Sequence, residues 1–187
     1  MSEISEKEIK QIIKKVQKGD IDSFGTIYEI FAERIYRYIY LKVSNKEIAE
    51  DLTQQVFIKA WEAIGDFKFK NNPFSSWLYS IARNSVTDFY RKKKPDFSLD
   101  EEIKIDLFDE KDLNEELINK EEVDNILKKI YQLPSDQKEL LILRFVEDLS
   151  YEEIAKIMNK TPLNLRVIQH RALNRLKKEM DTDFNFN

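Results

Sequence analysis

Apolar residues recur at every third or fourth position along nearly the whole chain, and this spacing constrains the fold more than any other feature. It is seen at Ile9, Ile12 and Val16, and it continues through residues 24–43 and 49–64. Such spacing gathers apolar side chains on one face of an α-helix, whereas a half-buried strand alternates every second residue. The sequence shows neither strand-like alternation nor an internal repeat. We therefore predict an all-α protein.

Glycine and proline residues divide this helical pattern into segments. Gly65 is a natural end for the helix that precedes it. Asn72 is suited to cap the next helix, with Pro73 in its first turn, where the missing N–H is not needed. That helix is expected to bury one apolar stripe over residues 74–89 and to stop before Pro95.

The last third of the chain contains consecutive helix starts. Ser135, which follows Pro134, is suited to cap a helix. The sequence Ser150-Tyr-Glu-Glu153 is a capping box, in which the serine and glutamate side chains satisfy each other's backbone N–H groups. Thr161 is suited to cap a longer, basic helix that runs to about residue 178. Two helices joined by a short turn, the second of them basic, predict a helix-turn-helix.

Charge is distributed unevenly, although the formal net charge is only −4. Residues 66–94 contain seven Lys or Arg against two Asp or Glu, and residues 156–178 contain seven against none. Residues 96–124, between them, contain thirteen acids against three lysines. Two basic regions separated by an acidic one suit a protein that binds a polyanion at two places. We therefore expect two small helical domains joined by an acidic linker, with boundaries at 1–95, 96–118 and 119–187.

Several function classes lack the residues that they need. The chain has no cysteine, which excludes disulfides and thiolate chemistry, and its three glycines are too dispersed for a phosphate-binding loop. Its one histidine, His170, has no serine or carboxylate spaced beside it to suggest a triad. No spacing of acids argues for a metal site, and no cofactor is expected. No segment has the pattern of a signal peptide or a membrane span, so we expect a cytoplasmic protein without membrane insertion.

Three motifs, in order, resemble those of the extracytoplasmic-function (ECF) sigma factors of bacterial RNA polymerase, a branch of the sigma-70 family. They are AEDLTQQVFIKAW at 49–61, FSSWLYSIARN at 74–84, and the stretch from LP at 133–134 to LSYEEIA at 149–155. The resemblance implies a first domain that docks on polymerase and opens the −10 promoter element. It implies a second domain that reads the −35 element as duplex DNA.

The first motif is the part of the resemblance that implies polymerase contacts. The residues implied are Asp51, Gln54, Gln55 and Phe57. The family commonly has glutamate at the position of Gln55, so a contact there is expected to be weaker or remade. The alternative is that this helix is only an amphipathic core helix, which is the role expected for Val56 and Trp61.

Promoter opening needs aromatic faces, a polar pocket and cations, because unstacking a base costs a few kcal/mol that the protein must recover. The resemblance places Phe67 and Asn84 at a pocket for an extruded base, and nearby cations are expected to grip the backbone. The full set for the −10 element is Phe67, Lys68, Lys70, Asn84, Arg91, Lys92 and Lys93. Simple core packing is the alternative for Phe67, and it is the role expected for Trp77 and Ile81.

The basic helix of the helix-turn-helix should present its N-terminal half to the major groove. The residues expected at the −35 element are Thr161, Arg166, Val167, His170, Arg171 and Arg175. Arginine can read guanine edges or grip phosphate, and Val167 is suited to a thymine methyl. The family typically alternates an exposed basic residue with an apolar core residue. This sequence departs from that pattern, because it has the apolar Ile168 at the expected exposed position and the polar Gln169 at the expected core position. Either the helix is rotated or the −35 reading is reduced.

The resulting hypothesis is a transcription initiation factor that directs core RNA polymerase to promoters and stabilises melted −10 DNA. Polymerase would hold the active site, so the chain itself is not expected to be an enzyme. The expected partners are core polymerase, promoter DNA and, from the resemblance, an anti-sigma factor. The alternative is a stand-alone helix-turn-helix regulator of duplex DNA, which would leave the motifs of the first domain without a purpose.

Overall fold

The chain is helical throughout the part that the structure describes, which confirms the predicted all-α class. The structure, a computed structural model, describes residues 4–69, 72–92, 126 and 128–184. The N-terminal half contains α1 (Glu6–Val16), α2 (Ile21–Val43), α3 (Lys46–Ala63), a 3-10 turn (Ile64–Asp66) and α4 (Phe74–Lys92). The C-terminal half contains α5 (Ser135–Leu141), a π-helical turn (Ile142–Val146), α6 (Tyr151–Met158) and α7 (Pro162–Phe184). The predicted linker at 96–118 and both of its boundaries lie outside the described residues.

The N-terminal half is a bundle in which α2 is the central helix. It packs against α1, α3 and α4. Its buried side chains Ile27, Phe31 and Ile35 follow each other at intervals of four residues, so they form one stripe that faces the other helices. Phe31 meets Phe74 of α4 edge to face, with ring centroids 5.5 Å apart. This core fixes the positions of α3 and α4, which carry the expected polymerase and −10 residues.

Helix α4 is buried on two sides, where the sequence predicted one stripe. One side packs against α2 and α3, and the other packs against α6 of the C-terminal half. Ser75 and Tyr79 belong to the second side, because their hydroxyls donate to Glu153 and Glu147 of the C-terminal half. The single-stripe prediction was therefore incomplete, because polar residues such as serine and tyrosine give no apolar period when they face another domain.

The helix-turn-helix begins and turns where the sequence predicted, but its second helix runs to Phe184 and not to about residue 178. Ser150 and Glu153 form the expected capping box at the start of α6. Asn159 ends α6 in the left-handed conformation, at φ 52°, which turns the chain toward α7. Thr161 caps α7 as predicted, since its Oγ1 accepts a hydrogen bond from the backbone N–H of Asn164 at 3.2 Å.

Three other predicted helix boundaries differ from the structure. Asn72 is not the cap of α4, because the carbonyl of Pro73 accepts the first helical bond, from Trp77 at 3.3 Å. Ser135 is not a cap either. It is the first residue of α5, and Pro134, whose backbone is extended at ψ 143°, precedes the helix and accepts its first bonds. Gly65 is not the end of α3, because α3 ends at Ala63 and Gly65 lies inside the 3-10 turn that follows.

The two serines allow a matched test of the capping box. Ser150→Ala should lower the free energy of unfolding by about 1 kcal/mol, because the Glu153 N–H loses its side-chain acceptor. Ser135→Ala should change it by less than about 0.5 kcal/mol, because that side chain caps nothing. Urea unfolding of the full chain, followed by far-ultraviolet circular dichroism, measures both. Equal effects of the two substitutions would contradict the assignment of the cap.

Candidate polymerase and nucleic-acid interfaces

The outer face of α3 brings together most of the expected polymerase residues. Asp51, Gln54 and Gln55 are exposed there. Ile58 and Trp61 continue the same face at helical spacing and are 58% and 41% exposed. Polar and apolar groups together form a surface that suits a protein partner better than a purely solvated face does.

Two residues of α3 lie where the sequence did not place them. Trp61 was expected in the core, but it is 41% exposed, and its ring meets that of Phe24 edge to face at 4.9 Å. Phe57 was expected at the interface, but it is buried and meets Tyr28 at 4.7 Å. Ile58 was missed, although an apolar residue four positions after the polar Gln54 was a usable signal.

Phe67 lies inside an aromatic cluster in this structure. Its side chain is 7% exposed, and its ring lies 4.9 Å from that of Phe69, 5.4 Å from that of Phe74 and 5.0 Å from that of Trp77. The side-chain amide of Gln17, the residue after α1, holds this segment in place by donating to the carbonyls of Ile64 and Phe67, at 2.9 and 2.8 Å. The Phe67 ring therefore offers no free face to a base in this conformation.

Asn84 is exposed on α4. It follows Trp77 by seven residues, or two helical turns, so both lie on the same side of the helix, about 10 Å apart along its axis. The Phe67 cluster and Asn84 therefore share one side of the domain.

The expected cations of this region are only partly described. Lys68, Arg91 and Lys92 are exposed, and Arg91 pairs with Asp88 at 3.0 Å. Lys70 and Lys93 lie outside the described residues. Arg91 follows Asn84 by seven residues and so lies on the same side of α4. None of the three described cations is buried, as a site for a nucleic-acid backbone requires.

Helix α7 has an exposed face that contains all of the residues expected at the −35 element except Thr161, which caps the helix. That face is formed by Arg166, Val167, His170, Arg171 and Arg175. Thr161 is also exposed at the start of the helix. Leu163, which is 71% exposed, and Asn174, which lies 2.9 Å from His170, extend the face and were missed from the sequence. Leu163 follows the Thr161 cap by only two residues, and this place in the first turn of the basic helix was the signal that could have identified it.

Both residues of the departure at Ile168-Gln169 are half-buried in the structure. Leu165 and Ala172 are fully buried and define the inward face. Ile168, between them, is half-buried against the core. Gln169 is half-buried as well, and its side-chain oxygen accepts a hydrogen bond from the Tyr151 hydroxyl of α6. Ile168 is therefore not at an exposed position, contrary to the prediction, whereas Gln169 is turned inward as predicted and finds a polar partner in Tyr151.

Tyr151 also contacts two arginines. The guanidinium carbons of Arg144 and Arg166 each lie 5.6 Å from the centre of its ring. Stacking over an aromatic face restricts a long side chain that would otherwise be mobile. Arg166 is thereby held near the base of α7.

Neither a membrane span nor a metal site is present in the part of the chain that the structure describes. None of its helices is long and apolar enough to cross a membrane. None of its histidine, aspartate and glutamate side chains gather in threes where they could hold a metal ion.

Comparison with known proteins matches both halves of the chain. Residues 27–95 match Sigma-70 region 2, and residues 124–176 match Sigma-70 region 4. The ECF RNA polymerase sigma factor SigW of Bacillus subtilis is 35% identical over 181 residues, which are 92% of this chain and 96% of SigW. The chain belongs to the ECF sigma factors. The predicted family and function, a transcription initiation factor, are thereby confirmed over the stand-alone regulator.

Solved structures share the fold of this sigma factor. The structure of CnrH in complex with the cytosolic domain of CnrY is 18% identical, with a TM-score of 0.69 over 92% of this chain and 96% of that one. The sigma factor RpoE, in complex with the anti-sigma factor NepR from Bartonella quintana, is 23% identical. Its TM-score is 0.69 over 87% of this chain and 99% of that one. The arrangement of helices is thus a known one.

Substitution of two phenylalanines tests whether the aromatic cluster around Phe67 supports the fold. Phe67→Ala should lower the free energy of unfolding by about 3 to 5 kcal/mol, because it removes a buried aromatic ring that contacts three others. Phe145→Ala, at a ring that is 60% exposed, should cost less than about 1 kcal/mol. Thermal and urea unfolding of the full chain measure both. A Phe67→Ala chain as stable as the Phe145→Ala chain would show that the cluster does not support the fold.

Proposed function

We propose that three helices of this sigma factor have three separate binding roles. The outer face of α3 contacts core RNA polymerase, α4 with the segment before it holds opened −10 DNA, and α7 reads the −35 element. The observation that carries the proposal is the exposed face of α7, where Arg166, Arg171 and Arg175 stand on the second helix of a helix-turn-helix. Guanidinium groups in that position can reach guanine edges or phosphates of the major groove.

The proposed contact with duplex DNA uses apolar and neutral polar groups as well as charged ones. Val167 and Leu163 are exposed apolar residues among the cations, and each can meet the methyl group of a thymine. Thr161 combines its capping role with an exposed position that suits a phosphate contact. His170, bonded to Asn174, offers a further polar group on the same face. Positioning by phosphate contacts and reading by base contacts are thus both provided.

The −10 site is centred on Asn84 rather than on Phe67. The Asn84 amide is exposed and can recognise the edge of an extruded base, while Lys68, Arg91 and Lys92 lie on the exposed surface to hold the backbone. Phe67 supports this site from the interior of the domain, because its ring packs 5.0 Å from that of Trp77. A base can stack on Phe67 itself only after Phe69, 4.9 Å away, has moved.

The polymerase contact uses Asp51, Gln54 and Gln55, together with the exposed Ile58 and Trp61. Phe57 supports this surface from inside through Tyr28, which is 45% exposed. A partly apolar patch with a polar rim is the usual composition of a protein interface.

The chain catalyses no reaction in this account, because core polymerase supplies the active site. Its place of action is the cytoplasm, where polymerase and promoter DNA are found. An anti-sigma factor is a further proposed partner. This proposal is supported by the structure in which the similarly folded RpoE is in complex with the anti-sigma factor NepR.

The test of the proposed function is run-off transcription with purified core polymerase on a library of genomic fragments. The account predicts discrete start sites that depend on added protein. Duplex binding without any such start sites would favour the stand-alone regulator.

Substitution of Asn84 tests the −10 assignment. Holoenzyme with Asn84→Ala should assemble normally but transcribe poorly from duplex promoters. It should recover on templates whose −10 region is already unpaired, because the protein no longer has to supply the unstacking energy. Permanganate reactivity of promoter thymines measures the opening directly. Normal opening by this variant, or a defect that remains on the unpaired template, would defeat the assignment.

A further inference from the structure

The ring of Phe69 covers part of the ring of Phe67 in this structure. The two rings meet edge to face, with their centroids 4.9 Å apart and their planes at 78°. Phe67 has two other aromatic neighbours, Phe74 at 5.4 Å and Trp77 at 5.0 Å, and its side chain is 7% exposed. A base that stacks on Phe67 therefore has to take the place of one of these three rings.

Of the three rings, that of Phe69 is the easiest to displace. Phe74 and Trp77 belong to α4, and Phe74 is 2% exposed in the core, where it also meets Phe31. Phe69 lies outside any helix, three residues after the 3-10 turn, and is only partly buried. Its displacement requires no helix to move, so Phe69 is the ring that a base can replace.

Hydrogen bonds fix the backbone more firmly at Phe67 than at Phe69. The Gln17 side-chain amide donates to the carbonyls of Ile64 and Phe67, at 2.9 and 2.8 Å. The backbone N–H of Phe67 also donates to the carbonyl of Ile64, at 3.2 Å. The carbonyl of Phe69 accepts from the Asn72 N–H at a long 3.4 Å. Phe67 can therefore keep its place while Phe69, two residues later, changes its own.

Lys10 of α1 lies over the Phe69 ring. Its Nζ is 5.4 Å from the ring centroid, a distance at which the face of an aromatic ring attracts an ammonium group. Lys10 is exposed, and such an attraction is weak at an exposed position. It favours the covering position of Phe69 without locking it. The phosphates of a DNA strand would compete with the ring for the same ammonium group.

A base and the Phe69 ring are comparable partners for Phe67. An edge-to-face pair of phenyl rings and a base stacked on an aromatic side chain are interactions of similar size. Without DNA, an uncovered Phe67 ring would expose apolar surface to water, which is unfavourable. With DNA, an extruded base has lost its neighbours in the duplex and needs a new stacking partner. The same ring face thus has a suitable occupant in both states.

We propose that Phe69 is a placeholder, which occupies in the DNA-free protein the face of Phe67 on which an extruded −10 base stacks. The base displaces the Phe69 ring when the promoter opens. This inference rests on the proposed function, because it takes the surface around Asn84 and the Phe67 cluster as the −10 site. If the covered form exceeds the uncovered one about tenfold, the apparent affinity for the opened strand is lowered by about the same factor.

The first test removes the Phe69 ring and measures binding of the opened strand. The probe is a single-stranded oligonucleotide with the non-template −10 sequence of a promoter found in the run-off experiment, and the protein is the holoenzyme. Phe69→Ala holoenzyme should bind the probe about two- to tenfold more tightly than the parent, because no ring has to be displaced. Equal or weaker binding would overturn the proposal, since a ring that only contacts DNA or supports the fold cannot raise the affinity when it is removed.

A pair of lysine variants tests the same proposal with the Phe69 ring in place. Lys10→Gln and Lys7→Gln remove the same charge from exposed positions of α1, and of the two it is Lys10 that lies over the ring. At a salt concentration that screens exposed charges, Lys10→Gln holoenzyme should bind the probe about two- to fivefold more tightly than Lys7→Gln holoenzyme. This comparison decides the proposal if Phe69→Ala does not fold. Equal binding of the two would count against the placeholder.

A fluorescent adenine analogue locates the gain in binding. Placed at successive positions of the probe, the analogue is quenched where it stacks on an aromatic ring, and Phe69→Ala should deepen the quenching at one position. Phe67→Leu keeps an apolar side chain but removes the ring face, so adding it to Phe69→Ala should abolish both the deeper quenching and the tighter binding. A gain that persists with Phe67→Leu would overturn the placeholder, because the base would then be stacking elsewhere.

Failure of the placeholder and failure of the proposed function give different results. If parent holoenzyme binds the probe and Phe69→Ala gains nothing, the placeholder is overturned and the −10 site is retained. If neither the parent nor any variant holoenzyme binds the probe, the proposed −10 site is overturned, and the placeholder with it.

Discussion

The ion network around Glu147 determines how the rest of the described structure is arranged. The carboxylate is 1% exposed and belongs to the C-terminal half, but Arg37 and Tyr79 of the N-terminal half hold it at 2.6 to 3.1 Å. Such a buried charge is tolerable only with its partners in place, because the desolvation cost of an unpaired carboxylate is large. The network therefore ties the position of α6 to α4, and through α6 the position of α7.

This coupling links the fold to the function of a sigma factor. The proposed surfaces for polymerase on α3 and for duplex DNA on α7 are both exposed while the halves are joined. Their relative position is set by the glutamates that join the halves. Interfaces of this polar kind resemble transient protein contacts more than a common hydrophobic core, so they can open without unfolding either half.

The sequence predicted local structure and exposed surfaces well, and it failed where side chains act across the two halves. The Ser150–Glu153 capping box and the Thr161 cap follow from short-range chemistry, and both are present. The exposed face of α7 follows from helical period and charge. The second buried side of α4 did not follow, because Ser75, Tyr79 and Arg83 become interior residues only when the C-terminal half supplies their partners. The partner of Gln169 did not follow from the sequence either, since Tyr151 lies eighteen residues away.

The most direct test of this account asks whether the Glu147 network joins the two halves of the free chain. Dyes at Lys14→Cys on α1 and Lys177→Cys on α7, both exposed positions, report the separation of the two helices by energy transfer. The account predicts that Glu147→Gln lowers the transfer, because Arg37 and Tyr79 lose their charged partner, and that Glu152→Gln, at an exposed position of α6, leaves it unchanged. Equal transfer in the two variants would contradict it.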